Sequence, residues 1–298
     1  MKNPHLKHSR AGFTLADAMV GAGCAAVVGL IGFSILNTST ILYAKITSTN
    51  LAHDEARIAV NRLVGDIHKA VSTPQLWDGK GLGGNGLVNF TEKADPTKVT
   101  ASCVSFQLVP ENGGPYEVKN DPGNPEMIQI QSMKPGFNPT PGMRLIIPMY
   151  QIENDITKVT ANGFHRNVWM ANGEERIPKS KNGTKVIAYY TVRNYYTVEN
   201  GELRAYLSGM HGNGIITTSV TADKKLVFSS GGAPATPVVI ARFVSSDKPF
   251  NMPNYPDRRY VGVDLTTADT RYSNRGFKAV NTLVAGSIPY RARLCNSL

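Results

Sequence analysis

One acid stands alone in a long apolar run: Asp17, within GFTLADAMVGAGCAAVVGLIGFSIL between Gly12 and Leu36. A carboxylate in an apolar span is costly unless a cation or donor meets it, so Asp17 is a candidate for an ion pair with a group outside the run. The other polar groups do not assemble into a known catalytic pattern. His5 and His8 fall in a basic leader, and His53 and His68 lie fifteen residues apart, about four helical turns. His165 and His211 sit in Gly/Asn-rich stretches, so no closely spaced set predicts a zinc site. Asp121, Asn124 and Glu126 of DPGNPE cluster oxygens but lack the spacing of a calcium loop, and read as a turn. GKGLGGNG holds G-x-G-x-x-G twice, as Gly79, Gly81, Gly84 and as Gly81, Gly83, Gly86. A helical pattern ends before these glycines and strand-like LVNFT follows, the reverse of the strand-then-helix order that a pyrophosphate needs. G-x-S-x-G, H-E-x-x-H and the P-loop are missing from the sequence. No catalytic residue, metal or cofactor is expected.

The three cysteines stand in three contexts. Cys24 lies in the apolar run, where a small soft side chain packs well. Cys103 lies in the strand-like KVTASCVSFQLV and Cys295 near the C-terminus. On the oxidising side of a membrane a Cys103–Cys295 disulfide is allowed. Sequence does not supply the Cα separation that decides it.

These residues need an anchor and a head. Lys2, Lys7 and Arg10 precede the apolar run, and Phe13–Leu36 is about two dozen residues, enough to cross a bilayer as a helix. The cationic flank places residues 1–12 in the cytoplasm and the bulk of the chain outside. No A-x-A-like site follows the run, which argues against an ordinary secretory signal. The helical pattern continues over 37–72, with Ile41, Leu42, Ile46, Leu51, Ile58, Leu63, Val64, Ile67 and Val71 as its apolar face. Pro74 ends it, giving one rod of roughly 59 residues and about 88 Å. Asp54, Glu55, Arg57, Arg62 and Asp66 read either as a solvated face or as a lateral contact between rods.

Residues 73–97 read as a Gly/Pro-rich linker and 98–298 as a β-rich head. Strands are expected at 98–109, 126–133, 144–150, 185–198, 202–208, 215–220, 225–229, 237–244, 259–265 and 276–284, with long loops at 111–125, 134–143 and 245–256. Asn200-Gly201 reads as a two-residue hairpin turn, and Tyr189, Tyr195, Tyr196 and Tyr206 as a packed sheet face. The expected class is α+β: a long N-terminal transmembrane and amphipathic helix with an antiparallel sheet laid against its C-terminal half. The formal charge is +10, and a leader carrying Lys2, Lys7 and Arg10 accounts for three of those charges, leaving +7. The cations are scattered, so nucleic acid is not expected as a partner, and anionic envelope polymers stay open.

The N-terminus resembles that of type IV prepilins, on Gly12, Phe13, Thr14, Leu15 and the acid Asp17 in fixed register before an apolar helix. The resemblance covers residues 1–71, about a quarter of the chain. It implies cleavage after Gly12 by a prepilin peptidase, N-methylation of Phe13, and assembly with other pilins into a helical fibre on an inner-membrane platform. There Asp17 would accept the new Phe13 ammonium of a neighbouring subunit. The family usually carries glutamate where this chain has Asp17. NLAHDEARIAVNRLVGDIHKAV and the pairing of IAYYTV with GELRAYL are similar to minor pilins and to the J-type pseudopilins of type II secretion. Two other classes stand beside this one: a membrane-tethered binding protein or adhesin, compatible with it, and an anchored enzyme, which no motif supports.

Overall fold

A computed structural model describes residues 14–71, 74–77, 100–120, 127–131, 138–150, 152–163, 165–171, 186–223, 225–251, 260–267 and 279–286. The chain is α+β, with one long apolar N-terminal helix and antiparallel sheets. Helix α1 is Leu15–Lys69, 55 residues. The strands are β1 Gln75–Trp77, β2 Thr100–Ala101, β3 Cys103–Leu108, β4 Tyr116–Asn120, β5 Met127–Gln131, β6 Arg144–Ile147, β7 Ile152–Asn162, β8 His165–Met170 and β9 Val186–Glu199. After them come β10 Glu202–Tyr206, β11 Ile216–Val220, β12 Leu226–Ser230, β13 Ala233–Pro234, β14 Val238–Ala241, β15 Phe250–Asn251, β16 Tyr260–Thr267 and β17 Ala279–Gly286.

The fourteen-residue β9 joins two structures. Along its second half it pairs with β3 on one edge, Leu108 opposite Val192 through Cys103 opposite Thr197, and with β10 on the other. Strands β1 and β14 extend that sheet outward. Along its first half β9 pairs with β4 on one edge, and with β6 on the other. Strands β4, β5, β8, β7 and β6 are themselves hydrogen-bonded in that order, so the ring closes on β9. The result is a closed six-stranded antiparallel barrel, built from the contiguous stretch between β3 and the middle of β9. Closure leaves these strands no free edge.

Alternation along β9 explains how one strand serves two cores. Val186, Ala188, Tyr190 and Val192 fill the barrel with Tyr116, Ile128, Ile130, Leu145, Ile147, Ile156 and Val168. Further along the same face, Tyr196 stacks on Phe106 with ring centroids 5.2 Å apart, and both pack toward α1. The opposite face carries Tyr195, buried with Trp77, Cys103, Tyr206, Ile216 and Phe228 beneath the small β11–β12–β13 sheet. A further sheet, β17–β16–β15–β2, brings Val261, Val263, Leu265 and Phe250 into the same core against the helix.

Several expectations change. Within the expected linker, Gln75–Trp77 is a strand: the chain leaves α1, Val71 N–H donates to Gln107 O at 2.9 Å, and β1 follows the free edge of β3. The expected loop at 111–125 contains β4, and that at 245–256 contains β15. The β7–β8 hairpin is not among the expected strands, because Lys158, Thr160 and Asn162 on its outer face interrupt any apolar run. The four tyrosines do not share a face. Adjacent residues of a strand point oppositely, so Tyr195 and Tyr196 must separate, and Tyr189 packs with Val71 and Ile146. The hairpin turn forms as expected, with Asn200 and Gly201 both at positive φ, 52° and 75°.

Candidate functional site

The helix is the feature that could carry function, because its two halves are dressed differently. Thr14 is its N-cap. Thr14 N–H and Oγ1–H donate to Asp17 Oδ2 at 3.1 and 2.7 Å, and Asp17 N–H donates to Thr14 Oγ1 at 3.3 Å. This reciprocal capping box satisfies two amides that a helix start leaves open. Asp17 therefore already has donors within its own chain. Its third place in the helix puts the carboxylate at the positive end of the macrodipole.

From Leu15 to Leu42 the apolar side chains project into the surroundings, Leu15 being 80 % and Phe33 71 % exposed. This portion is long and apolar enough to cross a membrane by length and composition. Gly21, Gly23, Gly29 and Gly32 lie open within it, with no heavy atom within 4 Å of where a Cβ would stand.

The C-terminal half is gripped by the head, through a face the hydrophobic pattern did not reveal. Buried there are Ser48, Ala52, Ala56, Ala59, Val60, Leu63 and Ile67. Of the expected apolar face, Leu63, Ile67 and Val71 are buried, whereas Ile41, Leu42, Ile46, Leu51 and Ile58 are exposed, Ile58 at 60 %. The alanines explain the difference: short side chains let two sheets come close to the helix along this one face, which larger ones would forbid. Three polar tethers fix the helix in place. Thr267 Oγ1–H donates to Ala52 O at 2.7 Å and Arg242 N–H to Glu55 Oε2 at 3.1 Å. Tyr196 O–H donates to Asp66 Oδ2 at 2.5 Å. Burial pushes the Tyr196 phenol up, and the Asp66 charge beside it adds to the effect. Glu55 and Asp66 are thus engaged within the chain, while Asp54, Arg57 and Arg62 stay on the exposed surface. Leu51, Ile58 and Arg62 remain as an unused outer stripe, a bulky apolar ridge with a charged flank.

Away from the helix, charged side chains among the described residues pair across strands. Arg144 bridges Glu153 at 2.7 Å and Asp155 at 2.6 Å across β6 and β7. Burial works against its charge, but the two carboxylates outweigh that and hold its pKa above the ordinary value. Arg204 pairs with Glu202 and Glu199 on the β9–β10 hairpin. Cys103 is a free, fully buried thiol, which burial pushes up and makes a poor nucleophile. Cys295, the leader with Gly12 and Phe13, the glycine loop and DPGNPE lie outside the described residues. His53 and His68 are exposed on α1, and no metal-holding cluster of His, Cys, Asp or Glu occurs among the described residues. Compared with known proteins, the chain matches no family, no curated protein and no solved structure.

Proposed function

We propose that this protein is a structural subunit of a type IV pilus or of a type II secretion fibre, of minor-pilin or pseudopilin kind. The observation that carries the reading is the single 55-residue helix, bare and apolar at one end and locked into a β head at the other. Such a helix suits two successive lodgings: lipid while the subunit is a monomer, and the helices of other copies once it is drawn into a fibre. The exposed Leu51 and Ile58 support the second lodging, since a ridge of large apolar residues outside the membrane stretch has no use in an isolated anchor. The register Gly12-Phe13-Thr14-Leu15 with Asp17 supports processing after Gly12 by a prepilin peptidase and methylation of Phe13. The subunit would sit in the inner membrane with its N-terminus cytoplasmic and its head outside, beside an assembly platform and other pilins.

The capping box sharpens the role of Asp17. The ammonium of a neighbour's Phe13 must join Thr14 at the carboxylate or displace it. Both processing and pairing can be tested in cells with an active prepilin peptidase. Mass spectrometry should find a mature N-terminus at Phe13, methylated, and Gly12→Ala should leave the protein unprocessed. Asp17→Asn should be cleaved normally yet enter sheared fibres far less than the native chain at matched membrane levels. An intact Met1 terminus in those cells overturns the family reading. Native incorporation of Asp17→Asn overturns the pairing alone.

The barrel favours a second, compatible role. Val71, just past the helix end, packs on Ile146 and Tyr189 of barrel strands β6 and β9, so the barrel stands at the end of the rod farthest from the apolar half. A module in that place is displayed outward, as a binding protein or adhesin requires.

A further inference from the structure

We infer that Arg193 anchors a binding site for a carboxylate, at the place where β9 passes from the helix-backed sheet into the barrel. On one edge β9 changes partner there: Tyr195 lies opposite Tyr206 of β10, and Thr191 opposite Arg144 of β6. Ser208 holds the strand between them, its Oγ–H donating to Arg193 O at 2.7 Å and its N–H to Asn194 Oδ1 at 3.0 Å. Alternation puts the Arg193 side chain on the face that carries Thr191 and Tyr195, and from there it reaches across β3 to β1.

The guanidinium is held through a single nitrogen. Nη1–H donates to Gln75 Oε1 at 2.6 Å and to Ser105 Oγ at 3.1 Å, both neutral acceptors. Among the described residues Nε and Nη2 have no hydrogen-bond partner, and no carboxylate pairs with the group. These two N–H groups are parallel and form the fork that a carboxylate fills with its two oxygens. Arg204 shows the same edge in use, with Nε and Nη2 both on Glu202 Oε2 at 2.9 and 2.8 Å. The electrostatics follow the pairing. Carboxylates hold Arg144 and Arg204 above the ordinary arginine value, whereas burial, with the Arg144 charge adding to it, holds Arg193 below. Glu153 and Asp155 offset that only in part, being bound to Arg144 at 2.7 and 2.6 Å. Arg193 is half-buried, and neither open nitrogen is sealed from solvent, so a ligand can reach the fork.

A partly desolvated cation with an open planar fork is complementary to one planar oxyanion. Gln75 and Ser105 already fix the side chain, so binding costs it little rotamer freedom. Charge selects a monoanion: Glu153 and Asp155 act on this position through space and would repel the second charge of a sulfate or phosphate. The carboxylate is that of a free organic acid or of an acidic side chain on a bound peptide, since both offer the same two oxygens.

The inference stands whether or not the protein enters a fibre. It is tested on the isotope-labelled full chain in detergent micelles, by NMR of the arginine Nε–H signals at about pH 6, where carboxylates are ionised. Arg193→Lys, which keeps the charge and removes the fork, identifies the Arg193 signal by its loss. In the native chain, acetate should move that signal to saturation while the Arg204 signal stays, its fork being filled. Chloride at equal ionic strength should give no saturable shift, and sulfate should bind at least about tenfold more weakly than acetate. A glutamate dipeptide with blocked termini separates the two sources: tighter binding than acetate assigns the site to a peptide's side chain, weaker binding to a free acid. Acetate should also raise the denaturation midpoint over chloride in the native chain, and Arg193→Lys should lose that rise. No saturable shift at Arg193, an equal shift at Arg204, sulfate binding as tightly as acetate, or an undiminished acetate effect in Arg193→Lys overturns the inference.

Discussion

The two halves of β9 belong to regions built on opposite plans. Around its first half, the barrel gathers strands that follow one another within a single stretch of chain and closes on itself. Around its second half, the helix-backed sheet draws on distant parts of the chain: Thr267 reaches Ala52 across 215 positions, and Tyr196 reaches Asp66 across 130. The barrel is an insertion in a hairpin, since Leu108 and Val192 are already paired where it leaves and returns. The helix-backed region is a grip, in which β16 and β17 together with β3 and β14 hold one face of the helix. An insertion of this kind can be lost or changed without moving the helix, whereas the grip cannot change without moving the sheets on it.

The largest test of that difference removes the barrel. Joining Leu108 to Val192 through a short Asn-Gly turn should leave the second half of α1, β3, β9 and β10 folded, read as unchanged hydrogen-exchange protection at Ala56–Ile67. Loss of that protection would make the barrel part of the grip. Next come core truncations. Tyr190→Ala in the barrel should cost about 3–5 kcal/mol and Leu63→Ala at the helix about 2–5 kcal/mol. Exchange should quicken in β4–β8 for the first and along α1 for the second; spread of either effect into the other region would show the two cores to be one.

High pH should then loosen both regions together. Burial raises the phenols of Tyr190, Tyr195 and Tyr196 above their ordinary value. Raised folded-state values mean that the stability is fully present below about pH 10 and is lost as pH rises further, because the unfolded chain ionises first. The slope is about 1.4 kcal/mol per tyrosine per pH unit, read by denaturant unfolding between pH 9 and 11. Tyr190→Phe should lessen the slope through the barrel transition alone. The smallest effect is expected at the grip's edge, where Thr267→Val removes one hydrogen bond to Ala52 for about 1 kcal/mol, visible as faster exchange near Ala52–Ala56. No change there would assign the attachment to apolar packing.

By itself the sequence determined what depends on neighbours along the chain. The helix Leu15–Lys69 was legible from its apolar run, its period and Pro74, as were the β9–β10 hairpin from its Asn-Gly turn and most strands from their β-branched stretches. Asp17 was legible as an isolated acid, but its capping partner Thr14 needed the geometry of the helix start. Tertiary structure alone decided which side of the helix is covered, because burial follows the close approach that Ala52, Ala56 and Ala59 permit and not the size of Leu51 or Ile58. It also decided that the barrel closes, since the β6–β9 pairing joins residues about 45 apart and leaves no periodic trace. The cross-strand row over β4, β5, β8 and β7 escaped the sequence for the same reason. Lys119, Gln129, Asn167 and Thr160 stand side by side only because strand register, a long-range property of backbone hydrogen bonds, puts them in one row.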